Sequence, residues 1–416
     1  MQRHQLFRIA VRKYPPFEQA IRAQWEAFES QIQTGLTLDL VALDLHPLEE
    51  ALFTSNGMAS GAWDVCFVAT DWIAAMHQRN CAVDLAPFIA ANPPQDFPQG
   101  WTDSLLRLQR IDNAILGTPY HDGPECLIYR RDLFNDPMHQ ANYRAQHDEN
   151  LAPPTTWESF HRIARFFHNP EQQLYGTAFA AFPDGHNSVY DFLLQLWTRN
   201  GDLFDTHGNI RFQTPEAIDA LTFYRTILAD KQATHPDCLK LDSVAAGLAF
   251  AAGHLAMAIN WFGFATMAHT SPDSAVRGQV DVTTLPHAPN ASTASLNVYR
   301  ILSIATGSPH QTQAWQFLRH CLTPAMDKLT TTTGAIGCRR STWSDAEVNA
   351  AIPFYHRIEQ LHTHAREIPQ RPDWPQIASI IDTLITATIT TTTPIRKLLQ
   401  TADTMGAPFV AQPLAR

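Results

Sequence analysis

Two carboxylates, Asp71 and Glu125, and two histidine neighbourhoods, His121-Asp122 and His362-Thr363-His364, are the residues of this chain whose types could do chemistry. A pair of carboxylates hydrolyses glycosidic bonds when one serves as acid and the other as base or nucleophile. Neighbouring histidines bind metal. Spacing supports neither reading, because the sequence contains no HExxH, no phosphate-binding GxxxxGK, no GxSxG elbow and no GxGxxG. Nineteen histidines in 416 residues produce such neighbours by chance. No catalytic residue, metal or cofactor is therefore assigned.

A different pattern recurs. Tyr14 follows the apolar run LFRIAV, Asp71 follows WDVCFV, Tyr120 ends ILGTPY, and Trp261 ends LAMAIN. Ligands of open α/β sheets sit beyond the carboxyl ends of the strands. Taken singly, each of these residues could plug the rim of a core; four together describe a cleft.

The elements that must position them alternate. LFRIAV (6–11), LTLDLVAL (36–43) and WDVCFV (63–68) read as strands, each followed by an amphipathic helical stretch. That order implies a largely parallel sheet with helices on its faces. From Leu105 the pattern becomes short β segments, RLQRI, AILGTPY and CLIYRRDLF, where the chain can pass from one lobe to another. A capped helix then follows Thr155-Thr156, LYGTAFA reads as a strand, and the helix YDFLLQLWTRNGDLFD stops at Asn200-Gly201.

The stretch 244–268, VAAGLAFAAGHLAMAINWFGFATMA, carries no charged side chain and has the length of a membrane span. Gly247, Gly253, His254 and Asn260 interrupt it. It parses as a helix (SVAAGLAFA), a stop at Gly253 and a buried strand, LAMAIN, that delivers Trp261-Phe262-Gly263-Phe264.

Composition sets outer limits. A chain of 416 residues exceeds one ordinary core, so two lobes are expected. A formal charge of −10 with scattered basic residues argues against nucleic acid. The six cysteines show no CxxC and read as isolated buried side chains. The opening, MQRHQLFRIAVRKYPPFE, lacks the apolar core and small-residue cleavage site of a secretory signal. The chain is thus read either as cytoplasmic or as numbered from after a removed signal.

A series of stretches, in order, resembles the extracellular solute-binding proteins of bacterial carbohydrate ABC transporters, the maltose/trehalose-binding type. WDVCFVATDWIA looks like that family's third strand and following helix start, and GTPYHDGPECLIYRRDLF like its "LPY … YNKDLF" hairpin. PPTTWESF, FLLQLWTRNGD and TPEAIDALTFY follow. FAAGHLAMAINW is similar to "F..GKAAMAINW", and AWQFLRHCLTPAMDKL with GAIGCRRS resembles the late helix and "GGIPTRRS" loop. The resemblance implies an α/β, two-lobed periplasmic-binding-protein fold (type II). Residues 1–117 and 264–323 would form the first lobe, and 118–263 and 324–416 the second.

It also implies a function: non-catalytic binding of a mono- or oligosaccharide by hinge closure, and delivery to the permease subunits of an ABC importer. A monomer outside the cytoplasm is expected, with a cytoplasmic sugar sensor or a carbohydrate-active enzyme as the alternatives. Carried over by position, Asp71 matches the ligand-binding aspartate, Tyr120 the hairpin tyrosine, Trp261 the stacking tryptophan and Arg339 the arginine of the late loop. Tyr14 and Glu125 join them from the strand ends. An aromatic plane takes the apolar face of a sugar ring while carboxylates and arginine take its hydroxyls. The family's "LGGW" stands here as Leu296-Asn297-Val298-Tyr299, so Tyr299 replaces the tryptophan. Gly123 occupies the hairpin's acidic position, flanked by Asp122 and Glu125, and Arg130 stands where asparagine is usual. These departures imply a reshaped pocket.

Overall fold

In the computed structural model, which describes residues 5–409, the chain opens with strand β1 (Leu6–Arg12), helix α1 (Pro15–Ile32), β2 (Thr37–Leu43) and β3 (Val65–Ala69). Pro15 and Pro16 start α1 where no backbone N–H is needed. Phe17, Ile21, Trp25 and Phe28, three or four residues apart, form its buried stripe. β1 pairs in parallel with both β2 and β3.

Further along come β4 (Thr118–His121), β5 (Glu125–Arg130), helices α2 (Trp157–Phe167), α3 (Asn187–Trp197) and α4 (Ser243–Ala251), β6 (Met257–Trp261), α5 (Phe262–Thr270), β7 (Val280–Thr283) and β8 (Arg300–Ile304). Five strands form one sheet in the order β2-β1-β3-β8-β4, and three form another in the order β6-β5-β7. The expected parallel sheet is therefore confined to β1, β2 and β3. β8 runs antiparallel to β3 and β4, and the second sheet is antiparallel throughout. An antiparallel strand brings its first residue, not its last, to the edge where parallel strands end.

The uncharged run resolves into α4, a turn at Gly253 with φ +85°, β6 and α5. Among the described residues no helix is long and apolar enough to cross a membrane. Two local readings are corrected. RLQRI is extended only at Arg110–Ile111, which pair with Ala114–Ile115; helix 103–108 takes its start and buries Leu105, Leu106 and Leu108. LYGTAFA forms only isolated bridges, at Leu174, Tyr175 and Thr177. Its backbone presses against α2 so closely that a Cβ at Gly176 would lie 1.8 Å from the Ala164 carbonyl oxygen.

Sheet membership and packing depart from the expected boundaries in three places. β4 belongs to the first sheet, and β7 pairs with β5 in the second. Helix α6 (Pro324–Thr332) packs on α1, where Gln24 Nε2 donates to Thr330 Oγ1 at 2.9 Å and to the Met326 carbonyl at 3.1 Å. All six cysteines are buried and unpaired.

Candidate functional site

The carboxyl edge of the first sheet gathers polar side chains from separate elements. Asp71 lies just past the end of β3, in the short turn Thr70–Trp72. Arg300, the first residue of β8, is register partner to Ala69 of β3 and to His121 at the end of β4. It therefore stands between the strand that leads to Asp71 and the strand that carries His121. From the second sheet, Glu125 at the start of β5 pairs with Trp261 at the end of β6. Helix α3 brings His186, at its N-cap, and Tyr190.

These groups meet. The Tyr190 hydroxyl donates to Asp71 Oδ2 at 3.2 Å, and His186 Nε2 lies 3.6 Å from the same oxygen. The Tyr190 and Trp261 rings stand at 87° with centroids 5.7 Å apart, an edge-to-face aromatic corner. Trp261 is only partly buried. Asp71 Oδ1 and Glu125 Oε2 are buried and have no hydrogen-bond partner. Arg300 lies 6.0 Å above the Trp72 ring, and no described residue accepts a hydrogen bond from its guanidinium or pairs with it directly. Buried polar groups are almost always satisfied, so two unsatisfied carboxyl oxygens beside a partly exposed, unpaired guanidinium mark a site that a ligand completes.

Burial sets the protonation of this cluster. It pushes the Glu125 carboxyl well above the ordinary carboxylate range, and the Asp191 charge adds to the effect, which favours the protonated form. His121 is pulled down to about 3, first by burial and then by the Arg300 charge. The Ile336 N–H donates to His121 Nδ1 at 2.9 Å, which leaves the imidazole hydrogen on Nε2, free of any partner among the described residues. Burial lowers Arg300 from the usual arginine value while Asp71 and Tyr190 oppose that shift. The cluster thus offers a charged donor, a neutral imidazole donor, a carboxylate acceptor and a neutral carboxyl around an aromatic corner.

Of the residues expected at the site, Asp71, Glu125 and Trp261 are there. Tyr14, half-buried and packed edge-on to Phe17 at 4.9 Å, caps α1 at the same edge, and its hydroxyl has no partner among the described residues. Three are not. Tyr120 is a core residue, 3% exposed, and donates its hydroxyl to Gln24 at 2.8 Å. Tyr299 is 1% exposed and donates to the Leu105 carbonyl at 2.6 Å. Arg339 is a structural clamp: it pairs with Asp96 at 2.7 Å, donates to the Gln95 and Leu322 carbonyls, and stacks over Trp101 at 4.5 Å. Sequence reading misses Arg300, Tyr190 and His186, and weighs His121 only as a metal ligand. Strand alternation was the available signal for two of these, since neighbours face opposite sides. Tyr120 turns inward where His121 turns out, and Tyr299 turns inward where Arg300 turns out.

Gly123, between β4 and β5, has φ +136°, a conformation that L side chains rarely adopt. An acidic residue there would be strained, and the carboxyl sits two residues later at Glu125. The other candidate chemistry is structural. His362 Nε2 bonds Asp122 at 2.7 Å and its Nδ1 bonds Ser104 at 2.9 Å, but all three are buried and Trp343 stacks on the imidazole. Among the described residues no group of three or more His, Cys, Asp or Glu side chains could hold a metal. Two surface cavities, of about 720 Å3 beside Trp157 and Phe223 and about 800 Å3 beside Trp197 and Phe204, lie away from the cluster. Arg199 and His161 in the first are already paired with Asp219 and Asp230. The cluster at Asp71 is preferred because its polar groups are unmet, not because of its volume.

Two sheets, each sending side chains to a shared cluster, define a two-lobed α/β protein with a polar site where the lobes meet. The model of the family described as bacterial extracellular solute-binding protein matches residues 14–328, and the chain belongs to that family. Three solved structures share the fold. A solute-binding protein of an ABC transporter from Agrobacterium radiobacter K84, in complex with ribitol, is 19% identical with a TM-score of 0.84, covering 97% of this chain and 98% of that one. Maltose-bound MalE3 of T. maritima is 17% identical with a TM-score of 0.85, covering 97% and 100%. A solute-binding protein from Agrobacterium vitis S4 with bound D-mannitol is 17% identical with a TM-score of 0.81, covering 97% and 98%.

Proposed function

We propose that this protein binds a carbohydrate between its lobes, without transforming it, and delivers it outside the cytoplasm to the permease subunits of an ABC importer. The observation that carries the reading is the Trp261–Tyr190 corner beside the unpartnered oxygens of Asp71 and Glu125. A sugar or sugar alcohol presents an apolar C–H face and a ring of hydroxyls, which is the complement of that arrangement. The ribitol, maltose and mannitol complexes of proteins with this fold support the ligand class. Family membership supports the transport role. Closure about the segments joining the lobes would hold Tyr190 and His186 against Asp71, where they stand in this structure. Thermal-shift screening against sugars and sugar alcohols tests the reading, since a ligand that binds only the folded protein raises its melting temperature by mass action. A flat response across a broad panel at millimolar concentration contradicts it.

A further inference from the structure

We infer that the cleft selects uncharged polyhydroxyl ligands over their carboxylate-bearing counterparts, because Arg300 and Asp71 form a charge-balanced couple whose hydrogen bonding is left open for ligand hydroxyls. The inference rests on the carbohydrate reading and narrows it.

The two groups sense each other's charge, yet no nitrogen of Arg300 lies within ion-pair distance of Asp71. Asp71 has one oxygen engaged by Tyr190 and the other, Oδ1, without a partner. Arg300 has no acceptor at all among the described residues. A hydroxyl group both donates and accepts, so hydroxyls on adjacent carbons can take the guanidinium with one oxygen and satisfy the carboxylate with one hydrogen. His121 Nε2–H, beside Arg300 in the register, offers a further donor to the same ligand edge.

Charge counting then discriminates. With a neutral ligand bound, Asp71 and Arg300 cancel. A ligand carboxylate would add a second negative charge; of the two arginines nearby, Arg12 is already paired with Asp44, and Glu49, from the segment after β2, stands close enough to feel the Asp71 charge. On the cationic side, His121 is held neutral and His186 already faces Asp71. Excess buried charge without a partner is strongly disfavoured. Arg300 is therefore a specificity residue whose charge is matched by the protein, not by the ligand.

The test compares pairs of compounds on one carbon skeleton: D-mannitol with D-mannonate, D-glucose with D-glucuronate, and maltose with maltobionate. Calorimetric titration of the full chain should show at least one neutral member binding, with its acid at least about 30-fold weaker. Asp71→Asn leaves Arg300 unbalanced and should move the acid-to-neutral affinity ratio at least about 10-fold toward the acid. Arg300→Met leaves Asp71 unbalanced and should raise binding of D-glucosamine relative to D-glucose. If either residue were only a scaffold, both members of a pair would weaken together and the ratios would stay fixed. Fixed ratios, or an acid that binds the wild type as tightly as its neutral partner, overturn the inference. Absence of binding by every compound overturns the carbohydrate reading beneath it, and the two failures are thereby distinct.

Discussion

The hydroxyl of Tyr190, on a helix of the second lobe, donates to Asp71, at the strand edge of the first, at 3.2 Å. This bond crosses the cleft and joins the lobes at the place where the site residues converge. Burial, with the Asp71 charge next, pushes the Tyr190 phenol well above its ordinary value, so it remains a donor at any physiological pH.

Tyr190→Phe keeps the ring against Trp261 and removes only the cross-cleft bond. Losing a hydrogen bond to a charged acceptor should weaken closure by about 1 kcal/mol, roughly a five-fold shift toward the open form. Small-angle scattering of the ligand-free variant should give a larger radius of gyration than the wild type, and saturating sugar should reduce it. Identical radii for both proteins would show that the bond does not hold the lobes together.

Arg339 should behave as a structural residue despite its place in a motif shared with ligand-binding relatives. Its side chain is 1% exposed and engages Asp96, two carbonyls and the face of Trp101. Arg339→Ala strands those partners and should cost about 3 kcal/mol or more of folding stability. Urea unfolding measures that loss. Ligand affinity of the folded variant should stay within about two-fold of wild type. A stable variant with much weaker binding would return Arg339 to the site.

How far the sequence could be read is clearest in strands β4 and β8. The strand ends were legible, because apolar runs bounded by Gly, Pro and Asx are strong signals. Which of two adjacent residues faces the cleft was not. In the positions Tyr120/His121 and Tyr299/Arg300 the aromatic was chosen each time, and each time it fills the core while its polar neighbour faces out. A one-residue difference inverts a strand's faces, and only the sheet's register decides it. β8 adds a second obstacle: as an antiparallel strand it reaches the ligand edge with its first residue, and strand direction is not written in a local pattern. Tyr190 and His186 lie on a helix whose other residues are nearly all buried, so nothing local marks them for a cleft. Asp71 and Trp261 were legible because they end runs whose direction the α/β order or the motif already implied, and Glu125 because it flanks the hairpin's acidic position.

Asp191 provides a pH signature. Burial pushes its carboxyl up to about 7, with the Tyr224 hydroxyl at 2.7 Å opposing the shift. The folded protein therefore holds a proton that the unfolded chain releases near pH 4. By linkage this contribution is fully favourable below about pH 4 and is lost as pH rises to about 7. Asp191→Asn removes it. The stability of the variant relative to wild type should climb by on the order of a few kcal/mol between those limits. Parallel unfolding curves from pH 4 to 7 would place Asp191 in a more hydrated setting.

Trp261 carries the central claim, because it is the partly exposed wall of the aromatic corner while the strand behind it is buried. The decisive measurement is the calorimetric affinity of Trp261→Ala for whichever sugar stabilises the wild type most, read beside the ligand-free melting temperature of the same variant. A cleft residue gives an affinity loss of about 2 kcal/mol or more, roughly 30-fold, with little change in the melt. The contradicting result is affinity retained while ligand-free stability falls by about 3–5 kcal/mol, the signature of a tryptophan that fills the core.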